Sequence, residues 1–162
     1  MKKIDEIYMR EALKEAEKGF EEDEVPVGCV IVYKNNIIAR GHNQVECLKD
    51  PTAHAEMLAL TSATNYLGSK WLNGATLYAT IEPCSMCAGA SVLSRIKQVV
   101  YGADDPKTGA CGSVINIAHN KKLNHRIQVK KDILKKECGA LLSEFFKKKR
   151  GSLGDSYGTT LD

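Results

Sequence analysis

Two short motifs hold the residues best suited to chemistry. His54-Ala55-Glu56 follows Pro51-Thr52, and Cys84-Ser85-Met86-Cys87 follows Pro83. Proline favours the first turn of a helix, so each motif reads as the opening of one. Two cysteines three apart on a helix share a face and can grip one ion. The partial positive charge of a helix N-terminus favours the thiolate that a metal needs. With a neutral imidazole from His54, the set is three N/S ligands, the donors expected for zinc. Three protein ligands leave a fourth tetrahedral position for water, and zinc lowers the pKa of that water towards ~7. Glu56, two residues from the histidine, is suited to take the water proton and hand it on.

Other readings of the same residues compete. A lone Cys-x-x-Cys also fits a structural zinc site or a redox pair, and a lone His-x-Glu carries little information. A structural site would recruit a fourth ligand from Cys29, Cys47, Cys111 or Cys138, none of which has a Cys-x-x-Cys partner. Cys29 and Cys138 fall on strand and helix faces that read as core. A thioredoxin-like pair would leave His54 and Glu56 unexplained. The whole constellation therefore points to an open, catalytic zinc site.

The surrounding pattern supplies elements to hold it. Ile4, Ile7, Tyr8, Leu13 and Ala16 recur at near-helical spacing over residues 4–20, before an acidic loop, Glu21-Glu22-Asp23-Glu24. Residues 27–33 and 37–41 read as two strands joined by a turn at Asn35-Asn36. Pro51-Thr52 opens a helix that fades near Gly68, residues 75–81 form a third strand, and Pro83 starts a helix carrying Met86, Ala90, Val92 and Leu93. A strand at 98–102, a loop at 104–112, an irregular stretch at 114–126 and a short strand at 127–129 follow. Asp132 is expected to cap a last helix whose apolar stripe is Ile133, Leu134, Cys138, Leu141, Leu142, Phe145 and Phe146. Strands alternating with helices predict an α/β domain with helices on both faces of a central sheet. Residues 1–150 form this one domain, and 151–162 read as a frayed tail.

Composition bounds the class. At 162 residues, 43% hydrophobic and 27% charged, the chain suits one domain with its own core. No apolar run approaches the ~18 residues of a membrane span. Met1-Lys2-Lys3-Ile4-Asp5-Glu6 puts acids where an export signal needs an apolar stretch, which sets the expectation of a cytoplasmic protein whose 6 cysteines are thiols or ligands. The net charge of +3 conceals an asymmetry: residues 1–120 carry 12 Lys/Arg against 15 Asp/Glu, and residues 121–150 carry 11 against 3. The basic block ends in Lys147-Lys148-Lys149-Arg150, either a solvated helix face or a footprint for nucleic acid. Aromatics beside it would suit a single-stranded loop, which needs phosphate neutralisation and a stacking surface.

The His-x-Glu…Pro-Cys-x-x-Cys arrangement resembles the signature of the zinc-dependent cytidine and adenosine deaminases. From about residue 8 to residue 150 the chain is similar to the bacterial tRNA-specific adenosine deaminases. The matching segments are Glu24-Val25-Pro26-Val27-Gly28, Gly41-His42-Asn43, Asp50-Pro51-Thr52-Ala53-His54-Ala55-Glu56, Glu82 to Ala90, Lys107-Thr108-Gly109-Ala110, Leu123-Asn124-His125-Arg126, and Phe145-Phe146 with a basic end. The zinc motif marks the superfamily, and the Lys107 loop and the Phe145-Phe146 terminus point to the tRNA branch.

The resemblance implies a cytidine-deaminase-like three-layer α-β-α sandwich around a five-stranded mixed sheet, and a homodimer with one zinc ion per subunit. It implies hydrolysis of the wobble adenosine to inosine in the anticodon loop of an arginine tRNA, with hydroxide attacking C6 and Glu56 serving N1 and the departing ammonia. It assigns His54, Cys84 and Cys87 to the metal. It assigns Asn43 to the target nucleoside and Val25, Pro26 and Ala55 to the pocket wall. Asp104 or Asp105, Lys107, Phe145 and Arg150 would meet the anticodon loop, with Lys147 and Lys149 as further phosphate contacts. Two other functions remain open: a deaminase of free guanine, cytosine or deoxycytidylate, and a non-catalytic zinc-stabilised nucleic-acid binder.

Several residues also have plainer readings. Asn43 and Asp104-Asp105-Pro106 suit turns, and His119 and His125 suit structural hydrogen bonds. Glu82, just before Pro83, could brace the metal site or serve only as a buried acceptor. The terminal run is mostly Lys where relatives often carry Arg, which weakens bidentate phosphate contacts.

Overall fold

The computed structural model describes residues 2–157, with side chains described as far as Ser152. Helix α1 (Lys2–Glu21) leads into the hairpin β1 (Gly28–Tyr33) and β2 (Asn36–His42). A short α2 (Val45–Leu48) and then α3 (Ala55–Leu67) follow. Strand β3 (Thr76–Ile81), α4 (Ser85–Leu93) and β4 (Gln98–Ala103) form a crossover unit; β5 (Gln128–Lys130) and α5 (Lys135–Tyr157) complete the chain. The strands make one sheet in the order β2-β1-β3-β4-β5. β1 is antiparallel to β2 and β3, whereas β3–β4 and β4–β5 are parallel. The mixed sheet follows from the connections: a tight turn can only join antiparallel strands, and the parallel β3–β4 pair needs the intervening helix.

Both faces of the sheet are covered, so its central strands are buried at nearly every residue rather than at alternate ones. Cys29, Ile31, Leu77, Val99 and Tyr101 pack against Ala59, Leu60 and Ala63 of α3 and Ala88 and Val92 of α4. On the opposite face Val30, Val32, Tyr78 and Val100 pack against Met9 and Ala12 of α1 and Cys138 of α5. The result is the expected three-layer α-β-α sandwich with five strands. Close helix-to-strand approach needs small residues: a Cβ on Gly41 would stand 2.4 Å from the Ala55 carbonyl oxygen. That contact seats the start of α3, and with it His54 and Glu56, on the end of β2.

The element boundaries differ from expectation at several places. α3 starts at Ala55 rather than at Pro51, because Asp50 accepts the Thr52 N–H at 2.8 Å and its hydroxyl at 2.7 Å and closes a separate turn. α4 starts at Ser85, not Pro83. The small α2 has no apolar periodicity and was not expected; Glu24 accepts its first N–H groups, from Glu46 at 3.1 Å and Cys47 at 2.7 Å. Asp132 does not cap α5. It takes a positive φ of 65° and pairs with Lys135 at 3.0 Å, and the helix starts three residues later. α5 runs on to Tyr157, past the expected boundary at 150, and residues 158–162 of the expected tail lie outside the described residues. His119 and His125 are structural, with Nδ1 of the first 3.1 Å from the Ile127 carbonyl and Nε2 of the second 2.6 Å from the Ile96 carbonyl. Among the described residues no helix is long and apolar enough to cross a membrane.

Candidate active site

His54 and Cys84 occupy equivalent positions, each the extended residue just before its helix. His54 has ψ 151° and Cys84 has ψ 177°, and neither side chain caps its own helix. They turn towards each other instead. The Sγ atoms of Cys84 and Cys87 each lie 3.6 Å from His54 Nδ1. A tetrahedral ion with zinc–sulfur distances of ~2.3 Å and zinc–nitrogen distances of ~2.0–2.1 Å requires a nitrogen–sulfur separation of about 3.6 Å. The three donors therefore fit zinc as they stand. Among the described residues no fourth His, Cys or acid joins this group. Cys29, Cys111 and Cys138 are buried elsewhere and Cys47 is exposed, so the fourth-cysteine structural site is not formed.

The electrostatics suit a metal. The neighbouring Cys87 thiol, together with His54, pulls Cys84 down to about 4 despite its partial burial. Cys87 is pushed up, first by its hydrogen bond to Cys84 and then by burial. Contact with Cys84 raises His54. Three donors sharing their protons in this way would release them to a cation, which needs the deprotonated forms. Glu56 lies at the second position of α3, 4% exposed, and accepts the Cys87 S–H at 3.2 Å. Burial raises its carboxyl above the ordinary glutamate value, the direction that suits a group exchanging protons near neutral pH.

His54, Glu56 and Cys84 line a cleft of about 710 Å³, with Cys87 buried behind them. One wall is the segment after α1, with Glu22, Asp23, Glu24, Val25 and Val27, continued by Val45, Glu46 and Cys47. Ile81 and Glu82 with Asp105 and Thr108 also line the cleft, as do Phe145 and Lys149 of α5. Asn43 also lines the cleft, and its Oδ1 accepts the Ala55 N–H at 2.8 Å, which orients its amide. It is thus more than a turn residue.

The other expected site residues divide. Val25, Asp105, Phe145 and Lys149 line the cleft, whereas Pro26 and Ala55 are buried behind its wall. Asp104 turns away, accepting the Tyr101 hydroxyl at 3.2 Å and pairing with Lys135 at 3.2 Å and Lys131 at 3.6 Å. Lys107, Lys147 and Arg150 are exposed outside the cleft. Phe145 is 4% exposed and meets Phe20 edge-on at 5.9 Å; Phe146 is 42% exposed. Sequence reasoning missed Glu22, Asp23, Glu46 and Thr108 as lining residues. The acidic loop was visible, but only the packing of α1 and α2 brings it to the same cleft as His54 and Cys84. Acidic residues outnumber the one lining lysine, Lys149, and Lys107, Lys147 and Arg150 lie outside the lining.

Residues 2–103 match the cytidine and deoxycytidylate deaminase zinc-binding region. The chain belongs to that family. Within the family it is 51% identical over 146 residues to the tRNA-specific adenosine deaminase of Bacillus subtilis (strain 168), covering 90% of this chain and 91% of the relative. It is also 51% identical over 148 residues to the enzyme of that name from Aquifex aeolicus (strain VF5), covering 91% and 97%. A solved structure from work on A-to-I editing by tRNA:A34 deaminases superimposes with a TM-score of 0.80 at 40% identity, over 83% of this chain and 97% of that one. A guanine deaminase from Nitrosomonas europaea superimposes less closely, with a TM-score of 0.72 at 26% identity over 86% and 83%. The family frame accounts for the fold and for the coincidence of His54, Cys84 and Cys87.

Proposed function

We propose that this chain hydrolyses the wobble adenosine of a tRNA, an arginine tRNA in the first instance, to inosine and ammonia. The observation that carries the reading is the buried Glu56 carboxylate beside a His54–Cys84–Cys87 triad in an acid-lined cleft. His54 Nδ1 and the two Sγ atoms would hold one zinc ion per subunit. Bound there, zinc makes a water molecule nucleophilic near neutral pH.

The chain's own residues then do the rest. Glu56 takes a proton from the attacking water as the new bond forms at C6, delivers it to N1, and carries a second proton to the departing ammonia. With Oδ1 engaged by Ala55, the Asn43 NH2 group is the donor left for the target nucleoside. Val25 walls the cleft at the base, with Pro26 and Ala55 packed behind.

Charge separates this reading from a nucleotide deaminase. Glu22, Asp23, Glu24, Glu46 and Asp105 line the cleft and disfavour a phosphate within it. Lys107, Lys147 and Arg150 lie outside it, where the backbone of an extruded nucleotide would run. Asp105 shapes the Lys107 turn, with Asp104 bracing it from behind through its lysine pairs. Phe145 lines the cleft, and exposed Phe146 offers a stacking face. The active form is a cytoplasmic homodimer.

The test is an inosine readout on an anticodon stem-loop with adenosine at the wobble position, using zinc-loaded protein. Ammonia-release assays on free guanine, cytosine and deoxycytidylate run in parallel. Inosine at that one position is the expected result. Ammonia from a free base alone would move the activity to the second class.

A further inference from the structure

We propose that Glu82 is a positioning residue that fastens the 105–113 loop, and so one wall of the cleft, to the end of the site that carries Cys84. What the loop meets in the cleft rests on the tRNA reading; the fastening itself does not.

Glu82 follows the last residue of β3 and is 3% exposed. Hydrogen bonds meet its charge on every side. Oε1 accepts the Tyr101 hydroxyl at 2.9 Å, the Ser113 hydroxyl at 2.9 Å and the Ser113 N–H at 3.3 Å. Oε2 faces the Asp105 N–H at 3.4 Å. Three of these four donors belong to the loop. Gly109 packs directly on the carboxylate: a Cβ there would fall 1.4 Å from Oε2 and 2.5 Å from the Asp105 carbonyl oxygen. Around this contact the loop wraps the metal turn, with Cys84 bridged to Gly109 and the Ala110 N–H donated to Pro83 O at 2.9 Å.

The loop needs such an anchor. It opens the 104–127 connection between the parallel strands β4 and β5, which has no helix of its own, so no regular element fixes its height above the sheet. Its tip is organised locally, since Asp105 Oδ1 accepts the N–H groups of Lys107 at 2.9 Å and Thr108 at 3.1 Å. That turn sets the shape of the tip but not its position over the cleft. Beside the main-chain links to Cys84 and Pro83, a buried carboxylate accepting several hydrogen bonds fixes the position. Asp105 and Thr108 then line the cleft, and exposed Lys107 precedes Thr108 in the same turn.

The variant E82Q keeps volume but sets an NH2 group against the N–H donors of the loop. The first readout is amide hydrogen exchange in zinc-loaded protein. Exchange at Asp105, Gly109 and Ser113 should quicken by about tenfold or more while α4 and the zinc content keep their wild-type values. The second is kinetics on the anticodon stem-loop: KM should rise about tenfold with kcat within about twofold. K107A should raise KM in the wild-type background and add little on top of E82Q, because an unfastened loop no longer presents that lysine. S113A, at an exposed position, should move exchange and KM in the same direction by a smaller factor, and it serves if E82Q fails to fold. Unchanged loop exchange would overturn the proposal, as would loss of zinc with a fall in kcat, which would make Glu82 a support for the metal alone. Fast loop exchange with additive E82Q and K107A effects would overturn the presentation of Lys107. Wild-type protein that makes no inosine defeats the tRNA reading, and the exchange result then still decides the fastening.

Discussion

The Lys149 ammonium lies 2.6 Å from the Asp23 carboxylate, tying α5 to the acidic loop that follows α1. One turn earlier Phe145 meets Phe20, so the same two elements are joined by an aromatic contact. An exposed ion pair of this kind contributes about 0–1 kcal/mol to stability. Its larger consequence is for binding, since a phosphate approaching Lys149 must first displace Asp23.

The basic cluster is therefore unequal. Replacing Lys147 and Arg150 together by Gln should weaken anticodon stem-loop binding and flatten its dependence on salt. The log–log slope should fall by about 0.7 for each single-strand phosphate that is no longer neutralised. K149Q should change the slope by less than either of the others, because part of its charge is already committed to Asp23. Binding isotherms across a salt series distinguish the two outcomes. A slope unchanged in the double variant would make the block a solvated face.

The adjacent phenylalanines should separate stability from binding. F145A removes a buried ring packed on Phe20 and should cost about 3–5 kcal/mol. F146A should cost about 1 kcal/mol or less, yet weaken RNA binding by about 1–3 kcal/mol if its exposed face stacks on a base. Thermal melts and affinity measurements on the two variants check this.

E56A should keep its zinc and lose turnover by about 10²–10⁴. The candidate metal donors do not include Glu56, so its loss should leave the ion in place while cutting the proton path. Single-turnover inosine formation, with zinc content measured on the same sample, is the check. Near-normal turnover would remove Glu56 from the chemistry.

In metal-stripped protein E56Q should be more heat-stable than wild type at pH 7, by a few degrees. Burial raises the folded-state pKa of Glu56 above its unfolded value of ~4.3, so its ionisation favours the unfolded chain. Below the unfolded value both states hold the proton and the wild type has no handicap. The handicap grows as pH rises from there to the raised folded value and is constant above it. Melts of chelated wild type and E56Q between pH 4 and 8 should therefore diverge upwards, and parallel melting curves would refute the argument.

The sequence by itself determined the layered α/β class, the order of its strands and of its helices apart from α2, and the candidate zinc donors. The first follows from period, because apolar strands buried on both faces must alternate with amphipathic helices. The donors follow because few other pairings account for His54, Glu56, Cys84 and Cys87 at helix openings. Lys147 and Arg150 were likewise visible as charge.

Tertiary structure alone decided which polar residues share the cleft. Asp104 and Asp105 are neighbours in sequence, yet one faces Lys131 and Lys135 and the other lines the cleft. Asp23 and Lys149 are 126 residues apart, and no local pattern pairs them. Glu24 and Glu82 were legible as acids but not as the acceptors that hold α2 and the 105–113 loop. Periodicity reports which face of an element is apolar. Where a loop between elements comes to rest depends on hydrogen bonds to distant residues, and those exist only once the sheet has brought its ends together.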